Sequence, residues 1–187
     1  MNPDASAALV LPSWAIVSDK RRAHIARVTG LLDRWANEMR ITHDEGQAWH
    51  DAGRWHDALR DADDADLIAR VAGDGAFAGS PPSVLHGPAA ALRLEREGES
   101  RASVLMAVRW HTVGNAKWDR TGRALFMADF LEPGRTFMQR DRAFLASLLP
   151  RDFEGVFRQL VRMRLEWTLR EGKALFPESV ALWNSLR

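Results

Sequence analysis

Residues 20–40 read KRRAHIARVTGLLDRWANEMR. Ile25, Val28, Leu31, Leu32, Trp35 and Met39 recur there at steps of three and four, the spacing of one apolar face on an α-helix. The same period returns on either side of clear punctuation. Thr42 and Glu45 form a Thr-x-x-Glu capping box, opening a second helix predicted to run to about Leu59. Asp63 or Asp64 caps a short third helix carrying Leu67, Ile68 and Val71. The run from Gly73 to Pro82 is too rich in glycine and proline for regular structure and reads as a loop. Pro88 suits the first position of a helix ending near Gly98. Ser100 caps the next, which closes near His111, and Thr121 opens another with Leu125, Ala128 and Leu131 on one side. Two more are expected at about Met138–Leu149 and Asp152–Glu171, the latter stopped by Gly172, and Pro177 starts a last short one. No segment alternates strictly enough for a strand, and no repeat period is visible. The expected fold is all-α.

The chain has 187 residues, about the length of one domain, and can bury roughly two-thirds of its unfolded surface. A single domain over 18–187 is expected, preceded by an N-terminal segment, 1–17, that is a short helix or partly disordered. Hydrophobic residues at 46% and charged residues at 27% argue against wholesale disorder. With no cysteine, a disulfide scaffold, a zinc–thiolate site, an iron–sulfur cluster and a thiol nucleophile are excluded, and a cytoplasmic location is expected. The 26 basic and 25 acidic side chains nearly cancel, so no whole-molecule field favours nucleic acid or membrane, and neither partner is expected. The halves differ: 11 basic against 16 acidic residues up to 100, then 15 against 9. The basic half can steer an anionic ligand, or is simply a solvated arginine-rich face. No basic region followed by an apolar run opens the chain, so no secretory signal is expected. No stretch approaches the length of a membrane span.

Of six histidines, four share a setting. His24, His56 and His111 lie on or beside apolar helix faces, and His86 stands just before Gly87-Pro88. Asp57 follows His56, and Asp129, four residues after Leu125, turns its carboxylate toward the core. An ionised carboxylate there costs several kcal/mol unless it is paired or metal-bound. Imidazoles and carboxylates on separate helices suit a divalent cation that takes nitrogen and oxygen donors. A second His-Asp pair, His50-Asp51, precedes the first by six residues. Six helical residues rotate the chain by roughly 600°, so the two pairs face about 120° apart. His56-Asp57, flanked by Trp55 and Leu59, is preferred; His50 reads as exposed or as supporting, and His43 as plain surface.

The order His…His-Asp…His…His…Asp resembles the signature of the HD-domain metal-dependent phosphohydrolases. More narrowly, the chain is similar to the bacterial symmetrical bis(5′-nucleosyl)-tetraphosphatases, which hydrolyse diadenosine tetraphosphate. The matching stretches are Arg-Ala-His-Ile-Ala-Arg-Val (22–28), His-Asp-Ala-Leu-Arg (56–60), Leu-His-Gly-Pro-Ala-Ala-Ala (85–91), Val-Arg-Trp-His-Thr-Val-Gly (108–114), Ala-Asp-Phe-Leu-Glu-Pro-Gly-Arg (128–135) and Phe-Pro-Glu-Ser (176–179). The resemblance implies an HD-domain helical bundle and metal ligands at His24, His56, Asp57 and Asp129. It places His86 and His111 at the phosphates, where in some HD proteins they complete a second metal site. Arg135, Arg21 and the stretch from Gly172 through Lys173 and Phe176 to Pro177 match nucleotide-contacting positions. Where the family usually has lysine after His-Asp-x-x, this chain has Arg60, which keeps the charge but presents a fork instead of a point donor.

The implied activity is symmetrical cleavage of diadenosine tetraphosphate into two ADP by water activated on one divalent metal, iron first and manganese or cobalt next, with a second ion as an option. His86, His111, Asp57 and Arg60 are the expected catalytic residues. Asp57, Arg60, His86 and His111 also join Arg21, Arg135 and the 172–177 positions in holding substrate. The alternatives are an HD phosphohydrolase of another nucleotide, or a catalytically silent nucleotide-binding HD protein; a homodimer is compatible with either. Trp35, Trp55 and Trp167 fall at core spacing, Trp110 or Trp118 is a candidate pocket wall, and the stripe Arg158, Arg162 and Arg164 reads as solvated.

Overall fold

Ser18 and Thr42 begin the first two helices in the same way. Each side-chain hydroxyl accepts a backbone N–H three residues on, from Arg21 and Glu45, answering donors that the first helical turn leaves free. The computed structural model describes residues 9–186, which form α1 (Asp19–Met39), α2 (His43–Trp55), α3 (Asp64–Arg70), α4 (His86–Arg96), α5 (Ala102–Trp110), α6 (Arg120–Leu131), α7 (Gln139–Leu148), α8 (Phe153–Arg170) and α9 (Pro177–Ser185). Single 3-10 turns at Gly75–Phe77 and Pro82–Val84 interrupt the loop before α4. Among the described residues there is no strand, so the fold is all-α, and no helix is long and apolar enough to cross a membrane.

Helices α1 and α2 pack as a pair, and α5 and α6 close the core against them. Gly53 makes the first packing possible: a Cβ there would stand 2.8 Å from Leu32 Cδ1 and 3.1 Å from Thr29 Oγ1. Gly87 does the same between α4 and α5, where a Cβ would meet Val108 O at 2.7 Å and the His111 ring at 3.0 Å. Trp35 is fully buried and donates its indole N–H to Ala146 O at 2.9 Å, tying α1 to α7. Truncating such a residue costs about 3–5 kcal/mol.

Several boundaries differ from expectation. Helix α2 ends at Trp55, and residues 56–62 continue as turns with i→i+3 bonds from Ala58 to Trp55 and Arg60 to Asp57. Helix α4 starts at His86, so Pro88 is its third residue; the preceding 3-10 turn runs directly into the helix, and a missing N–H is harmless anywhere in a first turn. Arg101 and Asp119, not Ser100 and Thr121, hold the N-cap positions of α5 and α6. Trp110 and Trp118 both go into the core; Trp110 packs on Phe77 with ring centroids 4.5 Å apart. Trp55 is half-buried, and Trp167, expected in the core, is 49% exposed.

Of the N-terminal segment, residues 1–8 lie outside the described residues. Residues 9–17 form no helix. Ile16 donates to Ala58 O at 2.8 Å and accepts from Asp61 N at 3.2 Å, so this strand of chain braces the turn that follows His56-Asp57.

Candidate metal centre

Five elements deliver six side chains to one buried place. His24 comes from the inner face of α1, His56 and Asp57 from the turn after α2, His86 from the first position of α4, His111 from the end of α5 and Asp129 from α6. The first five side chains are buried, and Asp129 is 14% exposed.

The imidazoles are oriented before any ligand arrives. His56 Nδ1 donates to Gly53 O at 2.7 Å and His111 Nδ1 to Val108 O at 2.8 Å, which leaves Nε2 of each with its lone pair free. His24 Nδ1 lies 3.2 Å from Glu132 Oε1, a carboxylate itself buried and held by Arg27 and the Gly134 N–H. His24 Nε2 is 3.1 Å from Asp129 Oδ1 but outside hydrogen-bond geometry. Nε2 of His24 and of His56 are both buried without a hydrogen-bond partner. An orphaned buried nitrogen is costly, and two of them converging beside carboxylates fit a cation.

The donor atoms fall into two groups, His24, His56 and Asp129, and Asp57, His86 and His111, each within 4.8 Å of one another. Asp57 faces both. Its Oδ2 is 3.6 Å from His24 Nε2 and 3.5 Å from His56 Nε2, while its Oδ1 is 3.1 Å from His86 Nε2 and 3.5 Å from His111 Nε2. His86 and His111 approach to 3.0 Å between Nε2 atoms.

Burial is the strongest influence on Asp57 and would raise its pKa, but the imidazoles of His56, His111 and His86 hold it well below the usual carboxylate range. Burial likewise opposes ionisation of Asp129, and His24, Arg135 and His56 overcome it. Desolvation pushes His56 down to about 4 and lowers His86. It also pulls on His24, where the carboxylates of Asp129, Asp57 and Glu132 prevail and raise the pKa. At neutral pH the cluster therefore combines two carboxylates with neutral imidazoles at His56 and His86, the charge pattern a divalent cation requires.

Arginines border the carboxylates. Arg21 donates to Asp57 Oδ2 at 2.6 Å, and Arg135 to Asp129 Oδ1 at 2.6 Å. Arg60 is half-buried in the turn, near enough for its charge to depress His86. Gly172 ends α8 at φ 63 and Pro177 begins α9. Lys173 and Phe176, between them, line a cavity of about 170 Å³ shared with Thr112, the residue after His111. His50 sits apart, with Nδ1 3.0 Å from Asp33 Oδ1, and His43 is exposed.

Two residues near the cluster escape sequence reasoning. Glu132 lies three residues after Asp129, a spacing that puts both on one helix face; that was its available signal. From its spacing, Arg164 belongs to a stripe expected to be solvated. Instead it is half-buried and donates to Thr112 O at 2.8 Å, because α8 presses this side chain inward against the turn after His111.

No protein-family model matches the chain. Curated relatives named symmetrical bis(5′-nucleosyl)-tetraphosphatase do match in part. That of Staphylococcus aureus is 44% identical over 54 residues, 28% of each chain. That of Halalkalibacterium halodurans is 26% identical over 104 residues, 55% of this chain and 54% of the relative. That of Bacillus subtilis is 26% identical over 106 residues, 56% of each. The chain thus spans about half or less of the length of these relatives. A solved structure from Clostridium acetobutylicum, described as a predicted HD superfamily hydrolase involved in NAD metabolism, superposes with a TM-score of 0.79 at 21% identity, covering 91% of this chain and 90% of that one. With its helices tracking that structure over nine-tenths of both chains, the protein shares that structure's all-α fold.

Proposed function

We propose that the protein is a metal-dependent phosphohydrolase that cleaves a dinucleoside tetraphosphate, diadenosine tetraphosphate in the first instance, symmetrically into two nucleoside diphosphates. The observation that carries this is the pair of orphaned Nε2 atoms on His24 and His56, set among Asp57 and Asp129 and ringed by arginines. His24, His56, Asp57 and Asp129 would hold the ion, with His86 and His111 able to extend the site around Asp57. Nitrogen and oxygen donors without thiolate suit iron, manganese or cobalt. When bound, a divalent ion supplies charge to offset phosphate oxygens and makes water a competent nucleophile at neutral pH.

The chain's own residues supply the rest. Arg135 and Arg21 exchange their carboxylate partners for phosphate oxygens, and Arg60 adds a forked donor beside them. His86 and His111 stand 3.0 Å apart at Nε2, where one can carry a proton to the leaving phosphate oxygen while the other steadies it. Phosphoryl transfer depends mainly on such positioning and charge. The partial matches to symmetrical tetraphosphatases support the choice of substrate. Arg60, in the lysine position, is the feature that favours a different nucleotide if that choice fails.

The test is incubation of anaerobically purified, metal-loaded protein with diadenosine tetraphosphate, products separated by chromatography. ADP as sole product is expected. AMP with ATP would overturn symmetrical cleavage, and no turnover with iron, manganese or cobalt would overturn the substrate.

A further inference from the structure

Arg164, like Arg60, is a half-buried cation beside the cluster that no carboxylate among the described residues pairs with. Its guanidinium donates to Thr112 O and lies 5.3 Å from the Phe126 ring centroid. Removal from water depresses its pKa, with Asp129 opposing and Arg135 adding to the effect. A guanidinium has five N–H donors in a fixed fork, and a single carbonyl satisfies few of them. An ion held out of water with donors to spare is prepared for an anion that arrives with a ligand.

Two cavities meet at this side chain. The smaller, about 170 Å³, lies between α8 and α9 and is walled by Phe126, Lys173 and Phe176. The larger, about 570 Å³, lies between α8 and the segment after α6 and is walled by Phe130, Phe137 and Met163. Arg164 and Trp167 line both. The smaller cavity touches the cluster through Thr112, whose Oγ1 is 3.2 Å from His111 Nε2; the larger touches it at Asp129. Each therefore offers aromatic surface at one end and phosphate-binding chemistry at the other. Phe137 and Trp167 are 46% and 49% exposed, apolar surface that a flat heterocycle would cover. Arg135 and Arg170 join Arg164 on the larger cavity's wall, three guanidiniums against the carboxylates of Asp129 and Glu166, which suits a phosphorylated occupant over a second apolar protein surface.

We propose that Arg164 holds the phosphate bridge of a two-headed nucleotide, and that the cavities on its two sides each take one nucleoside. The inference rests on the phosphohydrolase reading for its chemistry, and adds to it a second nucleoside site and a phosphate-holding residue. One nucleoside then stacks near Phe176 and the other near Phe137, with the bridge running past Asp129 and Thr112.

Calorimetric titration of metal-loaded protein with ADP tests it apart from turnover. Two ADP per chain are expected. Phe137→Ala should weaken one of the two about tenfold, and Arg164→Gln should weaken both. Because Arg164 is half-buried, Arg164→Lys serves as the milder variant; it should bind ADP more tightly than Arg164→Gln. A single ADP per chain, no binding, or a Phe137→Ala protein that binds as wild type would overturn the inference. Kinetics give a second reading: Phe137→Ala should raise KM for diadenosine tetraphosphate about tenfold more than KM for adenosine 5′-tetraphosphate, and equal rises would overturn it. Failures are separable. Two ADP sites without hydrolysis of the dinucleotide would sink the proposed activity alone, whereas ADP production with one ADP site would sink the two-cavity arrangement alone.

Discussion

His50-Asp51 and His56-Asp57 share a dipeptide and a short stretch of chain, yet their side chains meet opposite surroundings. Asp51 is buried among guanidiniums: Arg101 donates to its Oδ2 at 2.7 Å and Gln47 at 3.1 Å, while Arg54 Nε stands 2.9 Å from its Oδ1, outside hydrogen-bond geometry. His50 turns outward to Asp33. Asp57 is equally buried, but its neighbours are chiefly four imidazoles, and His56 Nε2 has no partner at all. Burial therefore does not separate a structural carboxylate from a functional one. What separates them is the kind of group that answers the charge. Asp51 is faced by two arginines, whose protons cannot be replaced by a metal; Asp57 has one, Arg21, on its Oδ2, and is otherwise surrounded by imidazole nitrogens that can give up a proton or never carried one.

The sharpest way to break this contrast is to make the same change twice. Asp57→Asn should lose its metal and lower turnover by about 10³-fold or more, since several kcal/mol of charge stabilisation vanish at about 1.4 kcal/mol per factor of ten. Asp51→Asn should leave turnover nearly intact and lower unfolding stability by about 1–3 kcal/mol, the cost of weakened buried hydrogen bonds. Metal content by mass spectrometry, initial rates and denaturant melts read all three quantities. Equal effects of the two substitutions on turnover would remove the distinction.

A finer test compares the imidazoles of the proposed site. His56 is oriented by a backbone carbonyl that no substitution deletes, whereas His24 relies on the Glu132 carboxylate. Glu132→Gln keeps the size but removes the charge that makes His24 a stronger donor. Metal affinity, measured by competition with a chelator, should fall roughly 10–100-fold. An unchanged affinity would show that His24 needs no such support.

The helical framework was legible because apolar period and capping residues agree along most of the chain. Thr42 with Glu45, Asp152 before α8 and Gly172 after it all stand where the pattern puts them. The end of α2 was not legible. Ala58 and Leu59 are fully buried, so the apolar period continues through a stretch that is no longer helix; the chain turns there because Ile16, some forty residues earlier, takes up its backbone groups. That long-range pairing leaves no local mark. The convergence of His24 and Asp129 followed from their placement on inner helix faces and that of His56 from its place just past one, whereas Glu132 and Arg164 depend on how α1 and α8 sit against the end of α6. Trp167 shows the same limit: a residue at core spacing on α8 lines two cavities, and what covers its ring is the Lys173 ammonium, 4.2 Å from the centroid, instead of apolar core.

The smallest effect belongs to the solvent side of the comparison. The hydrogen bond to Asp33 is the largest influence on His50; together with the charges of Asp33 and Asp51 it raises the imidazole pKa above 6.5, against burial and Arg54. A group whose pKa is higher folded than unfolded lends stability that is fully present below the unfolded value of about 6.5 and is lost as pH rises through the folded value. Both partners are more than a third exposed, so water screens the pair and its worth is a few tenths of a kcal/mol. Asp33→Asn should therefore narrow the stability gap between pH 6 and pH 8 by about that amount while leaving the pH 8 value unchanged. Denaturant melts at the two pH values resolve this. A loss at pH 8 as large as at pH 6 would mean that Asp33 supports α1 through some contact other than the charged imidazole, and His50-Asp51 would no longer be the plainly structural member of the two pairs.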